Sequence, residues 1–216
     1  MVRQPDAIAS VGPAVLWWTG AALVSRAMPR SDDLYSLPAG IPVPVDDGAC
    51  AHLLGARWPA GVPPSTAGRF VDVSALSGRT VVYAYPRTGT PDRDPLPGWD
   101  LIPGARGCTP QSCSFRDHHR ELAELGARVF GLSTNPTEYQ REAAERLHLP
   151  FELLSDSQFA LTRAMRLPTF EIAGYRLLKR FTLIVRDAVV EHVMYPVFPP
   201  DRSADDVMTW LRAQRG

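Results

Sequence analysis

The stretch Gly104–His119 reads GARGCTPQSCSFRDHH and carries two of the chain's three cysteines, Cys108 and Cys113, with four residues between them. Such a pair is open to three readings: a metal clip, a structural disulfide, or a redox pair that does chemistry. Pro110 suits a first helical turn, where its missing N–H does no harm. Phe115, His119, Leu122 and Leu125 recur at helical spacing, so one helix is expected from Thr109 or Pro110 to about Leu125, stopped by Gly126. Cys108 then stands just ahead of a helix N-terminus, where the macrodipole and free N–H groups favour the thiolate, the reactive form. Were both cysteines in one α-helix, their Cα atoms would lie roughly 8–9 Å apart, beyond disulfide reach. A bond between them requires the first turn to unwind, and the pair then reads as a switch, folded when reduced and locally unwound when oxidised. Zinc would want four ligands, and Cys108, Cys113, His118 and His119 make up that number, but the spacing is not a common finger spacing. Two idle buried cysteines, and surface histidines, are the plain alternative.

Upstream, RFVDVSALSGRTVVYAYP (Arg69–Pro86) gives a short strand, a turn at Ser77-Gly78 and a buried strand over 80–85 that Pro86 ends. Tyr83 and Tyr85 read as core. A long loop follows, with Pro91, Pro95, Pro97 and Pro103; loops of this length are functional or disordered. Downstream, Ala127–Thr134 reads as a strand. The next helix has Asn135 as cap, Pro136 at its first position, Glu138 completing a cap box, and Tyr139, Ala143 and Leu147 on its apolar face. A short strand in FELLS, a helix around Gln158–Met165 and a strand over Arg180–Val185 come next. The turn Arg186-Asp187-Ala188 then leads into VVEHVMYP as a hairpin. Ser203 caps a closing helix with Asp205 and Asp206 in its first turn and Val207, Trp210 and Leu211 inside. This alternation is an α/β pattern. It puts Cys108 beyond the carboxyl end of a strand, where sites in open α/β sheets lie.

The 216 residues, 45% apolar and 21% charged, suit one domain with additions at its ends. Lys+Arg and Asp+Glu are both 23, so there is no basic excess for nucleic acid. No phosphate-binding glycine motif or solenoid repeat occurs. Three cysteines do not make a disulfide scaffold; they suit a reducing compartment, and Cys50 reads as a small inert residue. Residues 1–66 are expected to be a mostly irregular extension, Pro- and Asp-rich from 28 onward, and 67–216 the domain, with an inserted loop at 92–106. Ala7–Ser25 carries no charge. It is a bilayer span, a signal peptide ending in SRA, a dispensable stretch ahead of a start at Met28, or an ordered docking segment. A cytoplasmic location is expected, with membrane anchoring or export as the alternative if residues 1–27 are a genuine signal.

GCTPQSCSFRD closely resembles the active-site segment of peroxiredoxins, in particular the Q type, also called bacterioferritin comigratory protein, which reads Gly-Cys-Thr-x-x-Ala-Cys-x-Phe-Arg-Asp in many members. The resemblance spans roughly Arg69 to Leu211. YPRTGTP is similar to the family's Pro-x-x-x-Thr-Pro at Pro86 and Thr90, and KRFTLIVRDAVVEHVMYPV resembles the strand that carries the family's arginine, here Arg180. The resemblance implies a thioredoxin-like fold, a central mixed sheet flanked by helices. It also implies a thiol-dependent peroxidase for hydrogen peroxide or organic hydroperoxides that needs no metal, haem or flavin. By the same carry-over Cys108 is the peroxidatic and Cys113 the resolving cysteine. Thr90 holds peroxide and sulfur, Arg180 stabilises the thiolate and the departing oxygen, and Pro86 shapes and shields the pocket. Thioredoxin or another dithiol would recycle the Cys108–Cys113 disulfide, and a monomer or dimer is implied.

This chain departs from the pattern in one large way. Fifteen residues, Asp92 to Arg106, stand between Pro91 and Gly107, so Thr90 serves only if that loop bulges out and returns its ends to one place; Thr88 is the alternative. Trp99, Leu101 and Ile102 read as a lid, a partner surface, or a plain surface excursion. Gln111 stands where a Glu is frequent. Two other functions stay open: a thiol–disulfide oxidoreductase, disfavoured because the motif is not Cys-x-x-Cys, and a non-enzymatic redox-sensing interaction module.

Overall fold

The computed structural model describes residues 34–61, 63–91 and 93–215. Its strands are β1 (Arg79–Ala84), β2 (Ala127–Ser133), β3 (Leu153–Ser155), β4 (Thr169–Ile172), β5 (Tyr175–Leu178), β6 (Phe181–Arg186) and β7 (Val189–Met194). Five of them form one sheet in the order β3-β2-β1-β6-β7, while β4 and β5 pair separately as a hairpin. β1–β2 and β2–β3 are parallel; β1–β6 and β6–β7 are antiparallel. The helices are α1 (Cys108–Asp117), α2 (His119–Glu124), α3 (Thr137–Arg146), α4 (Ala160–Met165) and α5 (Ser203–Ala213). A mixed sheet between helices is the thioredoxin-like architecture.

Side chains of β1 alternate between two apolar layers, as a period of two requires. Val81 and Tyr83 lie with Phe115 of α1, Leu122 of α2 and Val207, Met208 and Leu211 of α5. Val82 and Ala84 lie on the other face with Leu161 and Met165 of α4 and with Cys50, Leu53 and Trp58. Those last three come from the irregular N-terminal part, which also bonds the sheet edge: the Trp58 N–H donates to Ala188 O at 2.8 Å, and Gly55 and Ala56 exchange bonds with Val190. Tyr83 ties α1 down. Its ring stacks on Phe115 at 4.4 Å and its hydroxyl donates to Ser112 Oγ at 3.0 Å. Gly131 makes room for it, since a Cβ there would lie 2.9 Å from the Tyr83 hydroxyl.

Several local expectations are corrected. The helix after Cys108 is broken at His118 (φ −101°, ψ 11°), which separates α1 from α2 while Phe115 and Leu122 still reach one layer. Asn135 does not cap α3. Its Nδ2 donates to Pro86 O at 2.8 Å and Pro136 occupies the cap position, so the side chain ties β2's exit to β1's. Ser203 is the first residue of α5, not its cap, and its Oγ accepts from Gln111 Nε2 at 3.3 Å. The short strand before Ser77 is a 3-10 turn, Val73–Ala75, held by Asp72. The β4–β5 hairpin turns on Ala173 (φ 48°) and Gly174 (φ 79°), a signal the sequence reading passed over. Among the described residues no helix is long and apolar enough to cross a membrane; Ala7–Ser25 and Met28 lie outside those residues.

Candidate active site

Gly107 precedes α1 with φ +94°. A Cβ there would sit 2.3 Å from Pro200 Cγ and 2.7 Å from Leu37 Cδ2, so only glycine lets the chain turn into the helix under that cover. Cys108 is the first residue of α1 and only 3% exposed. Arg180, the residue before β6, is equally buried. Its Nη2 donates to Cys108 Sγ at 3.1 Å, to Arg106 O at 3.0 Å and to Ala105 O at 3.2 Å. Its Nε donates to Gly104 O at 3.2 Å and its Nη1 to Gln111 Oε1. Not one of the oxygen acceptors is a carboxylate. A buried cation surrounded by neutral acceptors stabilises negative charge on whatever else it touches, and here that is the sulfur.

A cavity of about 110 Å³ opens beside Cys108, lined by Arg87, Thr88, Thr90, Trp99 and Tyr139 among others. The inserted loop thus leaves and returns at one place, closed by the Arg106–Asp100 ion pair and by turns at Gly98 (φ 79°) and Gly104 (φ 76°). Both threonines face the cavity. Segment 87–90 is held from α3: the Tyr139 hydroxyl donates to Thr88 O at 2.5 Å and lies 3.4 Å from Thr90 Oγ1, and Arg146 Nη2 donates to Gly89 O at 2.9 Å. Pro86 is buried and does not line the cavity; its carbonyl accepts from Ser133 and Asn135. Arg180 does not line it either, and borders a second cavity of about 300 Å³ with Val43, Pro44 and Phe170. Trp99 is buried against Phe170 at 6.3 Å, whereas Leu101 is 80% exposed.

Cys113 lies half-buried on the same α1 as Cys108, and both thiols are free. Burial pushes its thiol above the usual range, with Arg116 opposing. Cys50 is a different case: burial, with Asp47 and Asp46 adding, pushes it up to about 12. His118 faces Glu121 and Asp205, His119 packs near the Phe151 ring, and among the described residues no three His, Cys, Asp or Glu gather as a metal site.

Two contributors escaped the sequence reading. Leu34, Ser36 and Pro38 line the Cys108 cavity from a segment with no periodicity to announce it. Tyr139 belongs by its spacing to the apolar helix face, and its hydroxyl is the part that matters here.

The redoxin family profile matches residues 53–208. Peroxiredoxin Q, chloroplastic, of Sedum lineare is 30% identical over 147 residues, 68% of this chain and 70% of that one. The protein of the same name from Gentiana triflora is 25% identical over 186 residues, 83% of this chain and 78% of its own. Among solved structures, peroxidoxin BcpB from Mycobacterium tuberculosis superposes with a TM-score of 0.62 at 29% identity, covering 76% of this chain and 98% of that one.

Proposed function

The chain belongs to the redoxin family as a peroxiredoxin of the Q type, a thiol-dependent peroxidase, and on that premise we propose that its chemistry runs through Cys108, Cys113, Arg180 and Thr90. The observation that carries this reading is the 3.1 Å contact from Arg180 Nη2 to Cys108 Sγ at the head of α1, beside a cavity that holds Thr88 and Thr90. The Cys108 thiolate attacks one peroxide oxygen, an S–O bond forms as the O–O bond breaks, and the sulfur becomes sulfenic acid while the departing hydroxide or alkoxide takes a proton from solvent and leaves as water or an alcohol. Arg180 holds negative charge on the attacking sulfur. Thr90 holds the peroxide by a hydrogen bond, and Pro86 acts from behind the cavity wall by fixing the start of segment 87–90.

The second half is resolution. Cys113 condenses with the sulfenic acid, forming a disulfide and releasing water, once the head of α1 unwinds. A peroxidase of this family requires a thiol reductant; for this chain the fit is thioredoxin or another dithiol protein, with peroxide as the oxidant. A monomer or dimer in a reducing compartment such as the cytoplasm suits a cysteine set used for redox turnover rather than for scaffolding.

Steady-state turnover of hydrogen peroxide with a thioredoxin system tests the reading. Cys108→Ser is expected to abolish turnover, and Cys113→Ser to react once and then wait on small thiols. Turnover that survives Cys108→Ser would remove the assignment.

A further inference from the structure

We propose that Tyr139 is a positioning residue for the peroxidase reaction, fixing the direction of the Thr90 hydroxyl proton; this rests on the reading of Thr90 as the peroxide-holding group. A phenol has one proton to donate. The Tyr139 hydroxyl lies 2.5 Å from Thr88 O, and a carbonyl can only accept, so the proton is there. The same phenol oxygen lies 3.4 Å from Thr90 Oγ1 and has only lone pairs left to offer it. In a bond between the two hydroxyls the proton therefore comes from Thr90. That distance is long for an O–H···O bond, as catalytic hydrogen bonds often are before substrate arrives. With its proton directed to α3, Thr90 presents lone pairs to the cavity and accepts from the O–H of an incoming hydroperoxide, and the hydrogen bond to the sulfur is left to Arg180 rather than to Thr90.

The need for such a residue follows from the inserted loop. Residues Asp92 to Arg106 separate Thr90 from Gly107 along the chain, so its sequence neighbours cannot fix it against the sulfur. α3 does so instead. The Arg87 guanidinium sits 4.0 Å from the Tyr139 ring centre and holds the ring, Arg146 grips Gly89 O, and Tyr139 itself lines the cavity with Cys108. A free Thr hydroxyl rotates to suit its surroundings; a phenol oxygen with only lone pairs to offer gives this one a preferred direction, and the bond tightens when peroxide arrives.

A double-mutant cycle decides it. Tyr139→Phe keeps the ring under Arg87 and removes only the hydroxyl. Tyr139→Phe and Thr90→Val are each expected to lower kcat/KM for hydrogen peroxide about tenfold, and the double variant to lie no lower than Thr90→Val alone. Reduction of the Cys108–Cys113 disulfide by dithiothreitol, which uses neither hydroxyl, is expected to stay at the wild-type rate in all three. A wild-type rate in Tyr139→Phe with a slow Thr90→Val, losses that multiply in the double variant, or slowed dithiothreitol reduction would each overturn the positioning role and leave Thr90 standing. A wild-type rate in Thr90→Val would remove the reading of Thr90 itself.

Discussion

Arg180 Nη2 lies 3.1 Å from Cys108 Sγ, and each oxygen that the same guanidinium binds is a neutral carbonyl or amide oxygen. The sulfur is thus the place where a counter-charge can form. Arg180→Gln is expected to slow the reaction with hydrogen peroxide about 100- to 1,000-fold, the range for losing one preorganised charge stabiliser. Arg180→Lys should rescue little of it, because an ammonium cannot grip the 104–106 carbonyls and the sulfur together. Competition kinetics against a reference peroxidase would measure both, and a Lys variant near the wild-type rate would show that charge without the fork is enough.

Gly107 carries a second prediction. Its φ of +94° and the 2.3 Å approach of Pro200 Cγ to a built Cβ leave alanine strained in two ways. Gly107→Ala is expected to cost about 2 kcal/mol, which for a chain of this size lowers Tm by about 4–8 °C. Leu37 is a flexible side chain and Pro200 a stiff ring, so adding Leu37→Ala should recover little of the loss. Full recovery in the double variant would mean that Leu37, not the proline, sets the clash.

The alternation of strands and helices, the β6–β7 hairpin and the address of Cys108 were legible because each has a local signal: an unbroken apolar run in Thr80–Tyr85 ended by Pro86, helical spacing around Phe115 and Leu122, a turn at Asp187-Ala188. What was not legible depends on distant partners. Asn135 and Ser203 have cap-forming side chains, but Arg87 donates to the Asn135 Oδ1 and Gln111 to the Ser203 Oγ. Whether Thr90 meets Cys108 depends on a loop that leaves and returns, and no window of sequence contains that closure. Leu34–Pro38 have no pattern, because an irregular segment of turns packed on a glycine needs none.

Disulfide formation should be visible in amide exchange. Cys108 and Cys113 sit on one unbroken α1, too far apart to bond, and Leu37 rests on Gly107 at its head. Oxidation by one equivalent of peroxide is therefore expected to speed exchange both at 108–113 and at 34–38, while Cys113→Ser shows neither change. Equal protection of 34–38 in the reduced and disulfide forms would mean that the segment stays seated while the helix opens.

Cys50 should be silent in the reduced, folded protein. It is 2% exposed, and its thiol is pushed up to about 12, so little thiolate exists at pH 8. Iodoacetamide is expected to spare Cys50 until denaturant is added, and Cys50→Ala to keep peroxidase turnover. Mass spectrometry of the labelled peptides reads the first, and early labelling of Cys50 would place it in a far more open setting than the layer it shares with Leu53 and Trp58.

Asp47 anchors the irregular segment 41–47 beside Lys179 and Arg180, and acid should loosen it. The Lys179 ammonium first, and the Tyr195 hydroxyl at 2.7 Å second, hold its carboxyl down to about 2. A carboxyl whose folded value lies below its unfolded value of about 3.9 stabilises the fold above that pH, and the gain is lost as pH falls from there toward the folded value. The side chain is half exposed, so screening by solvent keeps the effect on global stability small. The local effect is larger, because Asp47 joins the end of the Val43–Val45 stretch to Lys179, the neighbour of Arg180. Proteolysis between residues 41 and 47 by an acid-active protease is expected to accelerate as pH drops from about 4 to about 2. Asp47→Asn should already be fast at pH 4 and gain no more than the protease's own pH response. Matching acid profiles for the wild type and Asp47→Asn would show that segment 41–47 is held by contacts other than this ion pair.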